Sequence, residues 1–157
     1  MFIAMWAWRS AASAVVATGA AGVAGSTHRM LGEPEAQTLQ AWRQPETLTL
    51  MADGGQLEQA LLNLLSNAAH ATARVAGPTV QVSARLIRGG WLAIEVRDNG
   101  PGVPHGLEHD IFMPFFSTRE HGSGIGLAVV RNLVQGMGGS VRHVKPASGR
   151  AAFVLSF

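Results

Sequence analysis

The chain has 157 residues, of which 47% are hydrophobic and 14% are charged, and its formal net charge is +2. This composition excludes a disordered polyelectrolyte and is typical of one globular domain that buries a core. Cysteine is absent, which excludes disulfides, zinc–thiolate sites and thiol catalysis. The basic residues are scattered arginines and a single lysine, Lys145, so we expect no nucleic-acid partner.

Residues 1–45 differ from the rest of the chain and are predicted to form a leader and a linker. Residues 1–27 are rich in Ala, Gly and Val and carry one charged side chain, Arg9. Three interpretations are open for these residues. They form a signal peptide, or a membrane anchor, or a packed or poorly ordered leader that could be the remnant of a truncated upstream region. The apolar residues that precede Arg9 disfavour a signal peptide, and the weak transfer energy of Ala and Gly disfavours an anchor. Residues 28–45, punctuated by Pro34 and Pro45, predict a linker with one short helix around 35–43.

The remaining residues, 46–157, are predicted to be one domain that begins with a strand and a helix. Residues 47–52 alternate between polar and apolar side chains, which predicts a strand. A helix is predicted from about 56 to 74, because apolar residues recur at helical spacing: Leu57, Ala60, Leu61, Leu64, Leu65 and Ala68. Residues 79–87 and 91–98 predict two strands of a hairpin, with Arg88-Gly89-Gly90 as the turn.

The second half of this domain repeats the alternation of helix and hairpin. Residues 99–106 predict a loop, and residues 111–118 form an aromatic segment broken by Pro114. A second helix, which ends at Gly138-Gly139, is predicted from one apolar face: Leu127, Val130, Leu133, Val134 and Met137. Residues 140–146 and 151–157 predict a closing strand pair. This order predicts an α/β (α+β) two-layer sandwich, with a mixed, largely antiparallel sheet and helices on one face.

Three alternating glycines, Gly122, Gly124 and Gly126, precede the second helix. Their spacing differs from the dinucleotide-binding fingerprint, and the chain has no Gly-Lys-Ser/Thr sequence, so the two commonest phosphate loops are excluded. Glycine nevertheless lets the backbone approach a ligand closely, and the free N–H groups of a first helical turn favour an anion. The segment therefore predicts either a phosphate-binding loop or an ordinary glycine-rich helix end.

Three further groups of polar residues are candidates for ligand binding. On the first helix, Asn63, Asn67 and His70 share one polar face, where amide oxygens suit Mg²⁺, although such a face is also typical of a solvated helix surface. Asp98 ends a strand beside a glycine turn and could accept a hydrogen bond from an exocyclic amine such as that of adenine, or form a simple turn. Thr118 and Arg119, at the end of the aromatic segment, could reach phosphate oxygens if that segment is a lid.

Taken together, these segments resemble a known protein family. The sequences NLLSNAAHA, DNGPGVP, IFMPFFSTRE and GSGIGLAVV look like the N, G1, F and G2 boxes of the catalytic, ATP-binding domain of sensor histidine kinases, over residues 47–157. The resemblance implies the Bergerat fold, ATP as the ligand and Mg²⁺ as its cofactor, with Asn67 and Asn63 as the metal-binding residues. It implies a binding site made of Asn63, Asn67, His70, Asp98, Gly100, Gly102, Val103, Thr118, Arg119, Gly122, Ser123, Gly124, Ile125, Gly126 and Leu127.

The same resemblance implies a reaction, and Asn63 favours phosphoryl transfer over hydrolysis. The ATP-hydrolysing relatives carry a glutamate at the position of Asn63, and an amide cannot accept a proton as a general base. Asn63 and Arg119 are therefore expected to support transfer of the γ-phosphoryl group of ATP to a histidine. That histidine is expected on a dimerisation domain, in a longer chain or in trans, because the surroundings of His28 lack the pattern of an acceptor site.

Several further expectations depend on the resemblance. A response regulator is expected as the second partner, with a cytoplasmic location, and a membrane contact only if residues 1–27 form an anchor. Two alternatives remain open. One is a module that binds ATP without catalysis, and the other is a kinase or ATPase of the same superfamily that acts in trans.

Overall fold

The computed structural model describes residues 26–30, 37–44, 48, 50–118, 122–145 and 152–157. Six strands form one sheet: β1 (Ser26–Met30), β2 (Gln37–Gln44), β3 (Thr79–Leu86), β4 (Leu92–Asp98), β5 (Ser140–Val144) and β6 (Ala152–Ser156). Two helices accompany the sheet: α1 (Gly54–Thr72) and α2 (Gly126–Gly136). Single turns of 3₁₀ helix lie at Arg88–Gly90 and Asp110–Phe112.

The sheet has the strand order β1-β2-β3-β4-β6-β5 and is antiparallel except where β2 pairs with β3. Val82, Val96 and Phe153 are opposite one another on β3, β4 and β6, and His143 continues this row onto β5. Since partners in register point to the same face of a sheet, these residues share the face that carries the core. The predicted mixed, largely antiparallel sheet is confirmed.

Helix α1 forms because its first turn is capped and one of its faces is apolar. The Asp53 side chain accepts a hydrogen bond from the Gln56 N–H at 2.9 Å, which satisfies one of the free donors at the start of the helix. The whole predicted stripe is buried, and its members are Leu57, Ala60, Leu61, Leu64, Leu65 and Ala68. Burial of four leucines, at about 1.5–3 kcal/mol each, makes this face the principal attachment of α1 to the domain.

Helix α2 packs against α1 and closes the same core. Val130 and Val134 are fully buried, while Leu127, Leu133 and Met137 are partly buried against the core. The helix ends in a glycine turn in which the Gly139 N–H donates to the Val134 carbonyl oxygen at 2.9 Å, and Gly138 has a φ of +78°. The two predicted helices and both predicted hairpins are therefore confirmed, with bounds that differ by a few residues.

The structure corrects the prediction for residues 28–45. The helix expected around 35–43 is wrong, because Gln37–Gln44 forms β2, which pairs with β1 on one side and with β3 on the other. Strand β3 would otherwise expose a row of unpaired backbone groups, and β2 satisfies them. The strand expected at 47–52 is also not formed at Leu48 or at residues 50–52.

The interpretations of residues 1–27 concern residues that lie, except for Ser26 and Thr27 of β1, outside the described part of the chain. None of the helices in the described ranges combines the length and the apolar character needed to cross a bilayer.

Candidate nucleotide-binding site

Asp98 is the last residue of β4 and one of two buried polar residues of the described chain, with 5% of its surface exposed. Its Oδ1 accepts a hydrogen bond from the Gly100 N–H at 2.9 Å. Burial raises the pKa of the Asp98 carboxyl above the usual 3.8, and the Gly100 hydrogen bond opposes this rise. A carboxylate held in such a position has acceptor capacity for a ligand donor.

Gly100 places the turn after β4 directly against the end of α1. A Cβ built on Gly100 would lie 2.8 Å from the Ala71 carbonyl oxygen and 2.9 Å from the Ala71 Cβ. Only glycine fits this close approach, and Gly102, two residues further on, adopts the left-handed region with a φ of +76°. The predicted turn at Asp98, Gly100 and Gly102 is therefore formed as a backbone surface beside a buried carboxylate, with the half-buried Val103 at its end.

The aromatic segment and the glycine loop contact each other through their backbones. A Cβ built on Gly124, whose φ is +66°, would lie 2.5 Å from the Phe115 carbonyl carbon and 2.7 Å from the Phe116 nitrogen. Phe115 itself has a positive φ of 65°, which is rare for a bulky residue, and 79% of its surface is exposed. The two segments predicted to form a lid and a phosphate loop thus lie together.

The glycine loop leads into the N-terminus of α2. Ile125 precedes the first helical residue and has no side-chain oxygen to accept from the first turn, so the free N–H groups there remain suited to an anion. Ser123 Oγ accepts a hydrogen bond from the Ile125 N–H at 3.4 Å. Asn67 of α1 lies beside this turn, since its Nδ2 is 4.0 Å from a Cβ built on Gly126.

Asn63 and His70 are the other two polar residues on this face of α1. Asn63 is half-buried one turn before Asn67, and His70 is exposed. The His70 Nδ1 donates to the Ser66 carbonyl oxygen at 2.6 Å, which places the proton on Nδ1 and leaves Nε2 as the second ring nitrogen. His70 is therefore oriented by its own helix.

Of the predicted phosphate contacts beyond the loop, Thr118 is exposed and Arg119 lies outside the described residues. In the described part of the chain, no three His, Asp or Glu side chains are grouped closely enough to hold a metal ion.

Sequence reasoning missed the role of Asn99 in the site, and it missed the contacts of Phe112 and His143 with Phe153. Asn99 follows Asp98 in a segment that predicts a simple turn, yet its side chain bonds to residues 20 and 22 positions earlier, and no local pattern indicates such partners. Phe112 contacts Phe153 edge to face, with ring centroids 6.2 Å apart, and the ring centroid of His143 lies 5.4 Å from that of Phe153. These rings attach the start of the aromatic segment to the sheet.

Comparison with known proteins identifies the family of this chain. Residues 52–157 match the family described as histidine kinase-, DNA gyrase B- and HSP90-like ATPases. The sensor histidine kinase ZraS of Klebsiella oxytoca is 40% identical over 109 residues, which are 69% of this chain and 23% of ZraS. The chain therefore spans less than a quarter of the length of this relative.

Solved structures show the same fold. The catalytic domain of the histidine kinase ThkA superposes with a TM-score of 0.64 at 27% identity, covering 73% of this chain and 75% of that domain. Full-length ShkA in complex with AMPPNP superposes with a TM-score of 0.66 at 34% identity, covering 75% of this chain and 24% of ShkA.

Proposed function

The chain belongs to the family of histidine kinase-, DNA gyrase B- and HSP90-like ATPases, and from this membership we propose that it is the ATP-binding catalytic part of a sensor histidine kinase. In this role it transfers the γ-phosphoryl group of ATP to a histidine side chain of a dimerisation domain. The observation that carries the proposal is the buried Asp98 carboxylate, which stands beside the glycine-only approach of Gly100 to α1. The similarity to ZraS and ThkA supports a kinase.

Adenine is proposed to bind at Asp98. The exocyclic amine of the base donates a hydrogen bond to the Asp98 carboxylate, and the base lies against the backbone from Gly100 to Val103, where side-chain bulk is small. Such a contact between a neutral donor and a charged acceptor contributes about 1.5–3 kcal/mol. It also gives selectivity, because a base that lacks the amine cannot supply this donor to the buried carboxylate.

The phosphates are proposed to lie between the glycine loop at 122–126 and α1. The free N–H groups of the first turn of α2 face an anion there, and Thr118 and Arg119 contribute further donors from the lid. Asn67, beside Gly126, and Asn63 are proposed to hold Mg²⁺ through amide oxygens. Bound Mg²⁺ would neutralise the charge of the phosphate oxygens and fix their orientation. His70 is proposed to donate from Nε2 to the same phosphates when both of its ring nitrogens carry protons.

Transfer to an imidazole is favoured over transfer to water by the identity of Asn63. Attack by water needs a base, and the amide of Asn63 cannot accept a proton at neutral pH. A neutral imidazole is already a nucleophile, so positioning and charge neutralisation suffice for its phosphorylation. Asn63 and Arg119 are proposed to support this transfer, and the phosphoryl group is then proposed to pass to a response regulator.

The phosphoacceptor is proposed to lie on a separate dimerisation domain. The candidate within this chain, His28, lies in β1, where the backbone of its residue is paired in register with Leu39. Residues 46–157 are proposed as the catalytic domain, with β1 and β2 extending its sheet.

Calorimetric titration of the full chain with Mg-ATP tests the binding site. The wild type should bind, and Asp98→Ala should bind roughly 10–100-fold more weakly, since each 1.4 kcal/mol is a factor of ten. Glu58→Gln, which alters a carboxylate of α1 outside the proposed site, is the matched control and should bind like the wild type. Equal affinity of the wild type and Asp98→Ala would contradict the adenine assignment.

Incubation with γ-labelled ATP tests the reaction. Acid-labile label should appear on a separately added histidine-bearing dimerisation domain and not on this chain alone. Label on His28 would place the acceptor within the chain. Tight nucleotide binding with no transfer to any added domain would instead identify a binding module.

A further inference from the structure

Asn99 ties the turn that carries Asp98 to a distant part of the chain through three hydrogen bonds. Its side-chain Oδ1 accepts from the Thr79 N–H at 2.9 Å, and its Nδ2 donates to the Gly77 carbonyl oxygen at 2.9 Å. Its backbone N–H donates to the Thr79 carbonyl oxygen at 3.2 Å. One carboxamide therefore fastens the end of β4 to the start of β3 and to the connection that precedes it.

The chemistry of these contacts selects an amide side chain. The two neighbouring groups are an N–H donor and a C=O acceptor, and a carboxamide offers one acceptor and one donor in the complementary arrangement. A carboxylate could serve Thr79 but would place an oxygen against the Gly77 carbonyl. Alanine could serve neither and would leave the part-buried Thr79 N–H without this partner.

The Asp98–Gly100 turn contacts two separate parts of the chain. Gly100 lies against Ala71 of α1, within a distance that excludes a side chain. Asn99 is bonded to Thr79 and Gly77. Asp98, which precedes both residues, accepts a hydrogen bond from the Gly100 N–H through Oδ1. The Asn99 side chain is the contact that can be removed without adding bulk to the turn.

We propose that Asn99 is a positioning residue that sets the selectivity of the site for the adenine base by orienting Asp98. The inference rests on the proposed function, because it assumes that Asp98 accepts the exocyclic amine of adenine. Asn99 itself does not touch the nucleotide. Its contribution is that the carboxylate is already aligned before the ligand arrives, so that little free energy is spent on ordering the turn during binding.

The ratio of the dissociation constants of ITP and ATP tests this role, because inosine carries a carbonyl oxygen where adenine carries the amine. Calorimetry of the full chain should give a ratio of roughly 10–100 for the wild type, from the contact of one charged acceptor with one donor. In Asn99→Ala the ratio should fall by about three- to tenfold, with ITP affinity nearly unchanged. The ratio for Asn99→Asp, which keeps the acceptor for the Thr79 N–H, should lie between those of the wild type and Asn99→Ala.

This ratio separates positioning from a general loss of structure. Partial unfolding lowers the affinity for both nucleotides equally and leaves the ratio constant. Asn132→Ala, at an exposed asparagine of α2, is the matched control and should keep the wild-type ratio. In the double variant Asp98→Ala/Asn99→Ala the ratio should equal that of Asp98→Ala alone, because the group that Asn99 orients is gone.

The outcomes distinguish the two hypotheses. A wild type that binds neither nucleotide, or binds both equally, contradicts the adenine site itself. A wild type that discriminates, with Asn99→Ala and Asn99→Asp discriminating equally well, overturns the positioning role while leaving the adenine site intact. A fall in the ratio for both Asn99 variants, absent in Asn132→Ala, supports it.

Discussion

The two ends of the proposed ATP site are built in different ways. The base end, at residues 98–102, is anchored to β3 and α1 by hydrogen bonds and close packing between residues distant in sequence. The phosphate end consists of the aromatic segment and the glycine loop, whose described contact is between two adjacent loops. Ile111 and Phe112, at the start of the aromatic segment, are buried, but the apolar side chains nearer the ligand are exposed, with 53% for Met113, 79% for Phe115 and 42% for Ile125.

This difference indicates whether folding or ligand binding stabilises the conformation of each end. The base end is stabilised by folding itself, so its geometry exists before ATP binds. At the phosphate end, Phe115 is exposed and has a positive φ, so the conformation of the loops around it is expected to depend on the ligand. Substitutions that disrupt the packing of the base end should therefore lower the stability of the free domain, and substitutions in the glycine loop should mainly lower nucleotide affinity.

Gly100→Ala should give the largest loss of stability. The new Cβ would meet the Ala71 carbonyl oxygen at 2.8 Å and the Ala71 Cβ at 2.9 Å, and α1 cannot move away without disturbing its buried leucines. We expect a loss of about 1–3 kcal/mol in the free energy of unfolding, measured by urea titration. Gly136→Ala is the matched control, because its Cβ would lie at an ordinary 3.7 Å from Gln56 Oε1, and it should be neutral or stabilising by up to about 1 kcal/mol.

Gly124→Ala tests the opposite end. Its φ of +66° and the 2.5 Å approach to Phe115 force the loop to rearrange, but the exposed surroundings mean that little burial is lost. The free energy of unfolding should change by less than about 1 kcal/mol, whereas Mg-ATP affinity should fall roughly 5–30-fold, the equivalent of about 1–2 kcal/mol for a left-handed alanine. A stability loss as large as that of Gly100→Ala would show that both ends are equally rigid, and the comparison would fail.

The same distinction explains which features could be predicted from the sequence. The buried stripe of α1 and the apolar face of α2 follow from periodicity within one segment, and both were predictable. Strand β2 was mistaken for a helix, because its structure depends on pairing with β3, about 40 residues later. The partners of Asn99 are equally non-local. The glycines at 100 and 124 could be expected from turn chemistry, but not the helix or loop against which each one packs.

Asp98→Asn should separate stability from binding at the base end. Burial raises the pKa of Asp98, so the folded state is relatively favoured when this group is protonated, below the usual 3.8, and loses that advantage as the pH rises through the raised value. Near neutral pH, Asp98→Asn should therefore unfold at a higher temperature than the wild type, and the difference should disappear in acid. Its affinity for ATP should fall, because the amide lacks the charge. A melting temperature of Asp98→Asn below that of the wild type at neutral pH would contradict the inference that the buried Asp98 carboxylate destabilises the folded state.

The smallest expected effect concerns His143, which lies where the start of the aromatic segment is attached to the sheet. Its Nε2 is buried and has no hydrogen-bond partner, and its ring contacts Phe153, which in turn contacts Phe112. Burial lowers the pKa of His143 below the usual 6.5, and the charge of Lys145 acts in the same direction, while the Glu108 carboxylate opposes them. The folded state thus binds the proton less readily than the unfolded chain.

The stability that neutral His143 contributes is therefore fully present above pH 6.5 and is lost as the pH falls through the lowered pKa of the folded state. His143→Phe removes both the titration and the unpaired nitrogen, so its melting temperature should decline less than that of the wild type below pH 6.5. At pH 8 the free energy of unfolding of the variant should equal that of the wild type or exceed it by about 1 kcal/mol. An unpaired buried polar atom costs about 1–3 kcal/mol, and His143 is only half-buried. His109→Phe, at an exposed histidine two residues before Ile111, is the matched control and should follow the wild-type pH dependence. If acid destabilises His143→Phe as much as the wild type, protonation of His143 does not weaken the attachment of the aromatic segment to the sheet.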